Sequence, residues 1–261
     1  MKQQIHIMGI VNLNDDSFYA ASRTAADQAL GRIHQMQQEG AEVIDLGACS
    51  TRPGSAQPSV EEEWHRLEPV LKALAGTSVP GVSVDTFRAE IVRRTYDTIG
   101  PFIVNDISAG EMDAEMLPLV GRLGLPYVAM HMRGTPATMQ QLTDYKDVTE
   151  EVLTYFKDFA LKAEALGIRD WILDPGFGFA KTVEQNYELL SHMHRLSELG
   201  RPILVGVSRK SMIYKLLGIT PEEALPATQV VHLAALQQGA TWLRVHDVAE
   251  AARTVRLFEA M

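Results

Sequence analysis

The sequence predicts an α/β fold, a (β/α)8 TIM barrel in a single domain spanning residues 1–261, and three observations predict it. Short apolar runs alternate with longer helical patterns eight times. The 261 residues then give about 33 per unit, close to the roughly 250-residue size of such barrels. Polar and charged residues gather just after each apolar run, the end at which these barrels build their sites. An open doubly wound sheet has the same alternation, and the count of eight favours the barrel.

The elements follow in order. Ile5–Val11 reads as a strand. Ala25–Glu39 reads as a helix because Ala26, Leu30, Ile33 and Met36 recur at helical spacing, and Gly40 stops it. Glu42–Leu46 is the second strand. Val60–Leu74 follows as a helix, with Trp64, Leu67, Leu71 and Leu74 on one stripe. Gly81–Val84 and the helix Arg88–Asp97 make the third unit, and Phe102–Val104 and Met112–Leu123 the fourth. Tyr127–Met130 and the long stretch Asp144–Leu166 make the fifth. Trp171–Leu173 and Val183–Leu199 form the sixth. Pro202–Gly206 is the seventh strand, followed by two helices, Lys210–Leu217 and Pro221–Gln238. Trp242–Val245 and Val248–Glu259 close the pattern.

Composition narrows the function. Hydrophobic residues make up 46% and charged residues 22%, ordinary globular values. The 24 basic and 33 acidic side chains leave a net charge of −9, which gives no electrostatic case for nucleic acid or an anionic membrane. No apolar run approaches the ~20 residues needed to cross a bilayer, and no signal peptide precedes the first strand. The single cysteine, Cys49, excludes an intrachain disulfide and fits a reducing, cytoplasmic setting. It reads as a small packed hydrophobe rather than a nucleophile.

The strand ends carry the chemistry. They present Asn12, Asp45, the loop Ser50-Thr51-Arg52-Pro53-Gly54, Asp85, Asn105-Asp106, Met130-His131, Asp174-Pro175-Gly176-Phe177-Gly178-Phe179, Gly206, Ser208-Arg209-Lys210-Ser211, Arg244 and His246. Each Asp or Ser alone could be a helix cap. Capping, however, does not call for Arg52, Lys210, Arg244 and His246 at one end of an acidic protein. Converging cations point to a strongly anionic ligand such as a phosphate or diphosphate. Asp85, Asn105, Asp174 and Lys210 offer paired acceptors and donors suited to a heterocycle with amino and oxo groups. Phe177 and Phe179 would add flat surface for a ring. Arg244 in an anion site should be removable with little loss of stability.

Seven motifs in order make the pattern specific. They are Gly9-Ile10-Val11-Asn12 with Asp16-Ser17-Phe18, Ser50-Thr51-Arg52-Pro53-Gly54, Ser83-Val84-Asp85-Thr86, Asn105-Asp106-Ile107-Ser108, Asp174-Pro175-Gly176-Phe177-Gly178-Phe179, Gly206-Val207-Ser208-Arg209-Lys210-Ser211 and Arg244-Val245-His246-Asp247. The chain resembles the dihydropteroate synthase family over nearly its whole length. That resemblance implies a transferase of folate biosynthesis, in a (β/α)8 barrel that is often a homodimer. It would condense 6-hydroxymethyl-7,8-dihydropterin diphosphate with p-aminobenzoate to give 7,8-dihydropteroate and diphosphate. It further implies that Asp85, Asn105, Met130, Asp174, Gly206 and Lys210 hold the pterin. Asn12, Thr51, Arg52, Arg244 and His246 would hold the diphosphate, with Mg²⁺ near Asn12. Phe18, Thr51, Arg52, Pro53, Phe179 and Ser211 would frame p-aminobenzoate. Asp85, Asp174, Lys210 and Arg244 would act in the chemistry.

The chain departs from the family pattern in three places. Asn14-Asp15 stands where the first loop has Thr-Pro, and Ala20-Ala21 where it has glycines. Gly47-Ala48-Cys49 replaces Gly-Gly-Glu, and Ala180 replaces a glycine after Phe179. Two other readings share the barrel: a pterin-binding methyltransferase domain and a pterin-binding protein without turnover. The first would not need the Thr51-Arg52-Pro53 loop or the Lys210, Arg244 and His246 set, and the altered first loop is the only support for the second.

Overall fold

The computed structural model describes residues 4–13, 23–49, 57–77 and 81–261, with side chains in the first helix from residue 26 onward. Eight parallel strands run in the order β6-β5-β4-β3-β2-β1-β8-β7. They are β1 (His6–Asn12), β2 (Val43–Gly47), β3 (Gly81–Asp85), β4 (Ile103–Asp106), β5 (Tyr127–Met130), β6 (Trp171–Asp174), β7 (Leu204–Val205) and β8 (Trp242–Val245). The sheet closes between β6 and β7 through one bridge, Leu173 to Ile203, where the Leu173 amide donates to the Pro202 carbonyl at 3.0 Å. The result is a (β/α)8 barrel. The helices are α1 (Arg23–Glu39), α2 (Val60–Leu74), α3 (Ala89–Ile99), α4 (Met116–Leu123), α5 (Val148–Ala165), α6 (Val183–His192), α7 (Ser211–Leu217), α8 (Leu225–Gln237) and α9 (Val248–Ala260).

The strands alternate, and the alternation sorts the molecule into layers. Outward-facing residues such as Ile7, Ile44, Val84, Val104, Leu173, Val205 and Leu243 pack against the helices in one large core. Inward-facing Met8, Val43, Ile103, Val128, Ile172, Leu204 and Trp242 plug the barrel floor. Two residues further along the same strands, the inward face carries Ile10, Asp45, Asn105, Met130, Asp174, Gly206 and Arg244. The polar set therefore stands one storey above an apolar floor, with the period of two fixing both layers.

Element ends differ from the sequence reading for local reasons. The fourth helix begins at Met116 rather than Met112, because the Asp113 carboxylate is occupied by the Ala89 and Glu115 amides, a local alternative to helix. The fifth begins at Val148 because Asp147, not Asp144, accepts from the Glu150 amide as N-cap. The sixth becomes 3-10 over Met193–Leu199. The eighth starts at Leu225, after a turn in which Thr220 and Glu223 exchange hydrogen bonds. Val60–Leu74 begins and ends as expected, with a capping box between Ser59 and Glu62.

Candidate active site

Asp45 is the centre of the barrel's polar storey. It has no solvent exposure. Its carboxylate accepts from the Ser83 hydroxyl at 2.6 Å, the Asn105 amide at 3.1 Å and Arg244 Nε at 2.7 Å. Arg244 also donates through Nη2 to Asp85 Oδ2 at 2.7 Å, so one guanidinium spans the carboxylates of β2 and β3 from β8. Burial lowers the Arg244 pKa, but the attraction of Asp45 and Asp85 outweighs it and holds the group charged. Burial pushes the Asp85 carboxyl upward; Arg244 draws it back, and Asp45 and Glu63 add to the rise.

The opposite rim is built by the turn after β6. Asp174 accepts from the Gly176 amide at 2.8 Å, and its acidity is weakened by burial, with Lys210 opposing. Gly176 has φ +72°, and a Cβ there would lie 1.9 Å from the His131 carbonyl oxygen, so only glycine fits. Lys210, just ahead of α7, donates to the Phe177 carbonyl at 2.6 Å and stands 4.7 Å above the Phe179 ring. Burial lowers its pKa to about 8, reinforced by Arg244 and opposed by Asp174 and Asp85. Gly206 keeps the space between Arg244 and Lys210 open: a Cβ would lie 3.9 Å from each.

An apolar wall completes the mouth. Met130 packs with Phe87, Ile107, Met132, Met139 and Ala180, and Phe179 and Met112 lie against them. Thioethers shape themselves to flat rings. Phe177 is different from the expectation: it is fully buried in the outer core and offers no surface to a ligand, although its carbonyl holds Lys210.

The structure also decides the capping alternative. Asp85 bonds Arg244, and α3 has Arg88 at its N-cap with no side-chain cap bond. The Ser208 hydroxyl accepts from the His246 amide at 3.3 Å and lies 3.2 Å from His246 Nδ1. His246 has its pKa lowered to about 4 by burial and by Arg244, so the imidazole is neutral at pH 7 in the protein without ligand. Asp247 is held by Arg209 through two bonds of 2.8 and 2.9 Å. Asn12 is half-buried at the end of β1, with its Oδ1 beside Gly47. Ser211 is half-buried at the start of α7. Phe18, Thr51, Arg52 and Pro53 lie outside the described residues. Cys49 is half-buried, and burial with Glu63 raises its thiol pKa far above neutral, consistent with packing.

Sequence reasoning left two residues without a role. Asp45 was visible as a strand-end carboxylate, and its inward parity was the signal. Lys181 carried no signal, since a lysine just ahead of the Thr182 N-cap is ordinarily exposed.

The pterin binding enzyme family model matches residues 8–246. A dihydropteroate synthase of Escherichia coli (strain K12) is 41% identical over 98% of this chain and 91% of that protein. The chain belongs to the dihydropteroate synthase family. Solved members are similar in fold as well. The Yersinia pestis dihydropteroate synthase in a sulfonamide drug complex superposes with a TM-score of 0.91 at 36% identity, over 98% of this chain and 94% of that one. The Xanthomonas albilineans enzyme with 4-aminobenzoic acid gives 0.89 at 38% identity, over 98% and 93%.

Proposed function

We propose that this mouth condenses 6-hydroxymethyl-7,8-dihydropterin diphosphate with p-aminobenzoate, giving 7,8-dihydropteroate and diphosphate. The observation that carries the reading is the convergence of Asp85, Asn105, Asp174, Lys210 and Arg244 from five strand ends around a methionine wall. The pterin stacks on Met130 and its wall. Its amino and ring N–H groups meet the Asp85 and Asp174 carboxylates and the Asn105 amide, while Lys210 donates to the oxo side.

The bond between the methylene carbon and the diphosphate oxygen breaks, and its electron pair leaves with diphosphate. The positive charge left on the methylene spreads into the ring, where Asp85 and Asp174 stabilise it. The aniline nitrogen attacks the methylene carbon, then loses its proton to solvent. Arg244, with His246 and Asn12, faces the leaving group. Binding of the pterin engages Asp85 and frees one arm of Arg244 for the diphosphate.

Asn12 presents a hard amide oxygen next to the side-chain-free Gly47, a donor that suits Mg²⁺. Among the described residues no group of three or more His, Cys, Asp or Glu could hold a metal ion, so the ion would be held by Asn12 together with diphosphate oxygens. It would supply charge neutralisation on the leaving group. Thr51, Arg52, Pro53, Phe18, Phe179 and Ser211 belong to the p-aminobenzoate side of this reading by family resemblance.

The reading also takes residues 1–261 as one pterin-binding domain, cytoplasmic and homodimeric, with small-molecule substrates and no nucleic acid or membrane partner. No helix among the described residues is long and apolar enough to cross a membrane. The test is diphosphate release with both substrates and Mg²⁺, with p-aminobenzoate omitted as control. Release that depends on p-aminobenzoate is the expected result; pterin binding without release would overturn the catalytic reading.

A further inference from the structure

Between the turn after β6 and the start of α6 lies a lysine with almost no exposure, Lys181. Its Nζ donates to the Gly176 carbonyl at 3.0 Å and the Phe179 carbonyl at 3.1 Å, and lies 3.0 Å from His131 Nδ1. Burial lowers the Lys181 pKa to about 7, with Asp174 opposing, and the three contacts suit either form: an ammonium donates to all three partners, and a neutral amine donates to the two carbonyls and accepts from the ring N–H. His131 is a neutral ring, because burial, with Lys181 adding to it, holds its pKa well below the usual histidine range. Among the described residues no carboxylate is within salt-bridge distance of this lysine. Two of its partners are backbone carbonyls turned inward on one amine, an arrangement that ties the loop to a single internal point.

The loop needs such an organiser. Gly176, Gly178 and Ala180 all have positive φ, at +72°, +82° and +48°; the glycines take such conformations freely, whereas Ala180 holds its own only with support from its surroundings. The first turn of α6 supplies a second anchor. Asn186 accepts from the Gly178 amide at 2.7 Å and donates to the Thr182 carbonyl at 2.6 Å. What the wound loop presents outward is the site: the Asp174 carboxylate at its start, the Phe177 carbonyl that holds Lys210, and the Phe179 ring beneath the Lys210 ammonium.

We infer that Lys181 is a positioning residue for the condensation, an internal amine whose carbonyl partners hold the Asp174–Phe179 loop in the geometry that binds both substrates. It touches neither substrate. It acts through Asp174 and Lys210 on the pterin and through Phe179 on p-aminobenzoate. The diphosphate groups Asn12, Arg244 and His246 stand on other strand ends and do not depend on it. The inference rests on the reaction proposed above.

That separation supplies the test. Lys181→Gln and Lys181→Ala are compared with the unaltered enzyme in steady-state kinetics, and diphosphate affinity is measured by calorimetry with Mg²⁺. The expected result is a KM for both substrates raised by about tenfold or more, as when a supporting group is removed from a built site, a lower kcat, and diphosphate affinity within about twofold of the unaltered enzyme. Propylammonium, which restores the space and amino group lost in Lys181→Ala, should recover substrate KM; propanol should not. Unchanged KM values, or equal loss of diphosphate and substrate affinity, would overturn the inference. If Lys181→Ala does not fold, Lys181→Gln, one bond shorter but polar and still a donor, carries the comparison. Failure of the unaltered enzyme to release diphosphate would instead strike the reaction itself, so the two failures are distinct.

Discussion

Asp45 has no exposure and Arg244 is its cationic partner. Removing the guanidinium leaves a buried carboxylate uncompensated, and breaking a buried pair from one side costs about 3–5 kcal/mol. Arg244→Ala should therefore lower stability by about 3 kcal/mol in urea unfolding, in addition to weakening diphosphate binding. This replaces the expectation from sequence that Arg244 could be removed without structural cost; the residue type was legible, its two partners were not. A midpoint unchanged by the substitution would show the pair to be dispensable. Asp174 behaves differently. Its bond to the Gly176 amide is local, so Asp174→Ala should leave pterin donors unpaired and weaken pterin binding by about 1–3 kcal/mol, read by calorimetry on the folded protein. Equal affinity in both proteins would remove Asp174 from the pterin site.

The turn from β6 into α6 carries Asp174 and Phe179 and holds Lys210 through the Phe177 carbonyl, and it is intolerant of change. Gly176→Ala places a methyl within van der Waals overlap of the His131 carbonyl and forces alanine to positive φ. The expected loss is about 3 kcal/mol or more, with substrate affinity falling alongside. A folded, fully active Gly176→Ala protein would contradict the close approach. The eight strands and the helices were legible because burial on one face imposes periods of 2 and 3.6 on the sequence. Their ends were less so. Asp113, Asp147 and Thr220 each choose between capping, turning and continuing a helix by contacts with residues distant or nearby, and composition does not carry that choice. The same limit applies to the site. Strand-end polarity exposed Asp85, Asn105, Asp174 and Arg244. The role of Phe177 depended on which way its side chain turned, and that of Lys181 on a backbone path with three left-handed residues.

At the scale of the whole molecule, buried histidines couple folding to pH. His232 has no exposure, and burial lowers its pKa to about 4, with Asp247 opposing. His131 and His246 are depressed in the same direction. The unfolded chain takes up these protons near pH 6.5 and the folded chain does not. Stability contributed by the neutral rings is thus full above about pH 6.5 and is lost as pH falls toward 4. For His232 alone the loss is on the order of 3 kcal/mol. The melting temperature should fall across that window, and His232→Gln should make the fall shallower; an unchanged slope would show that His232 is not among the groups responsible.

The single bridge between β6 and β7 gives the barrel a seam. Every other neighbouring pair of strands is joined by at least two registered residue pairs, whereas here the ladder is reduced to Leu173 and Ile203. The groups proposed above for the pterin straddle this line: Asp174 stands on one side and Lys210 on the other, and Lys210 donates across it to the Phe177 carbonyl. A ring held by both banks at once would act as a clasp on the cylinder. In amide exchange, Leu173 should therefore be among the first barrel-strand amides to take up deuterium in the empty protein, and pterin binding should slow it more than it slows the paired strands β1 and β2. The substrate would then be part of what keeps the barrel shut, and occupancy of the site could be read from the exchange of one backbone amide on its wall.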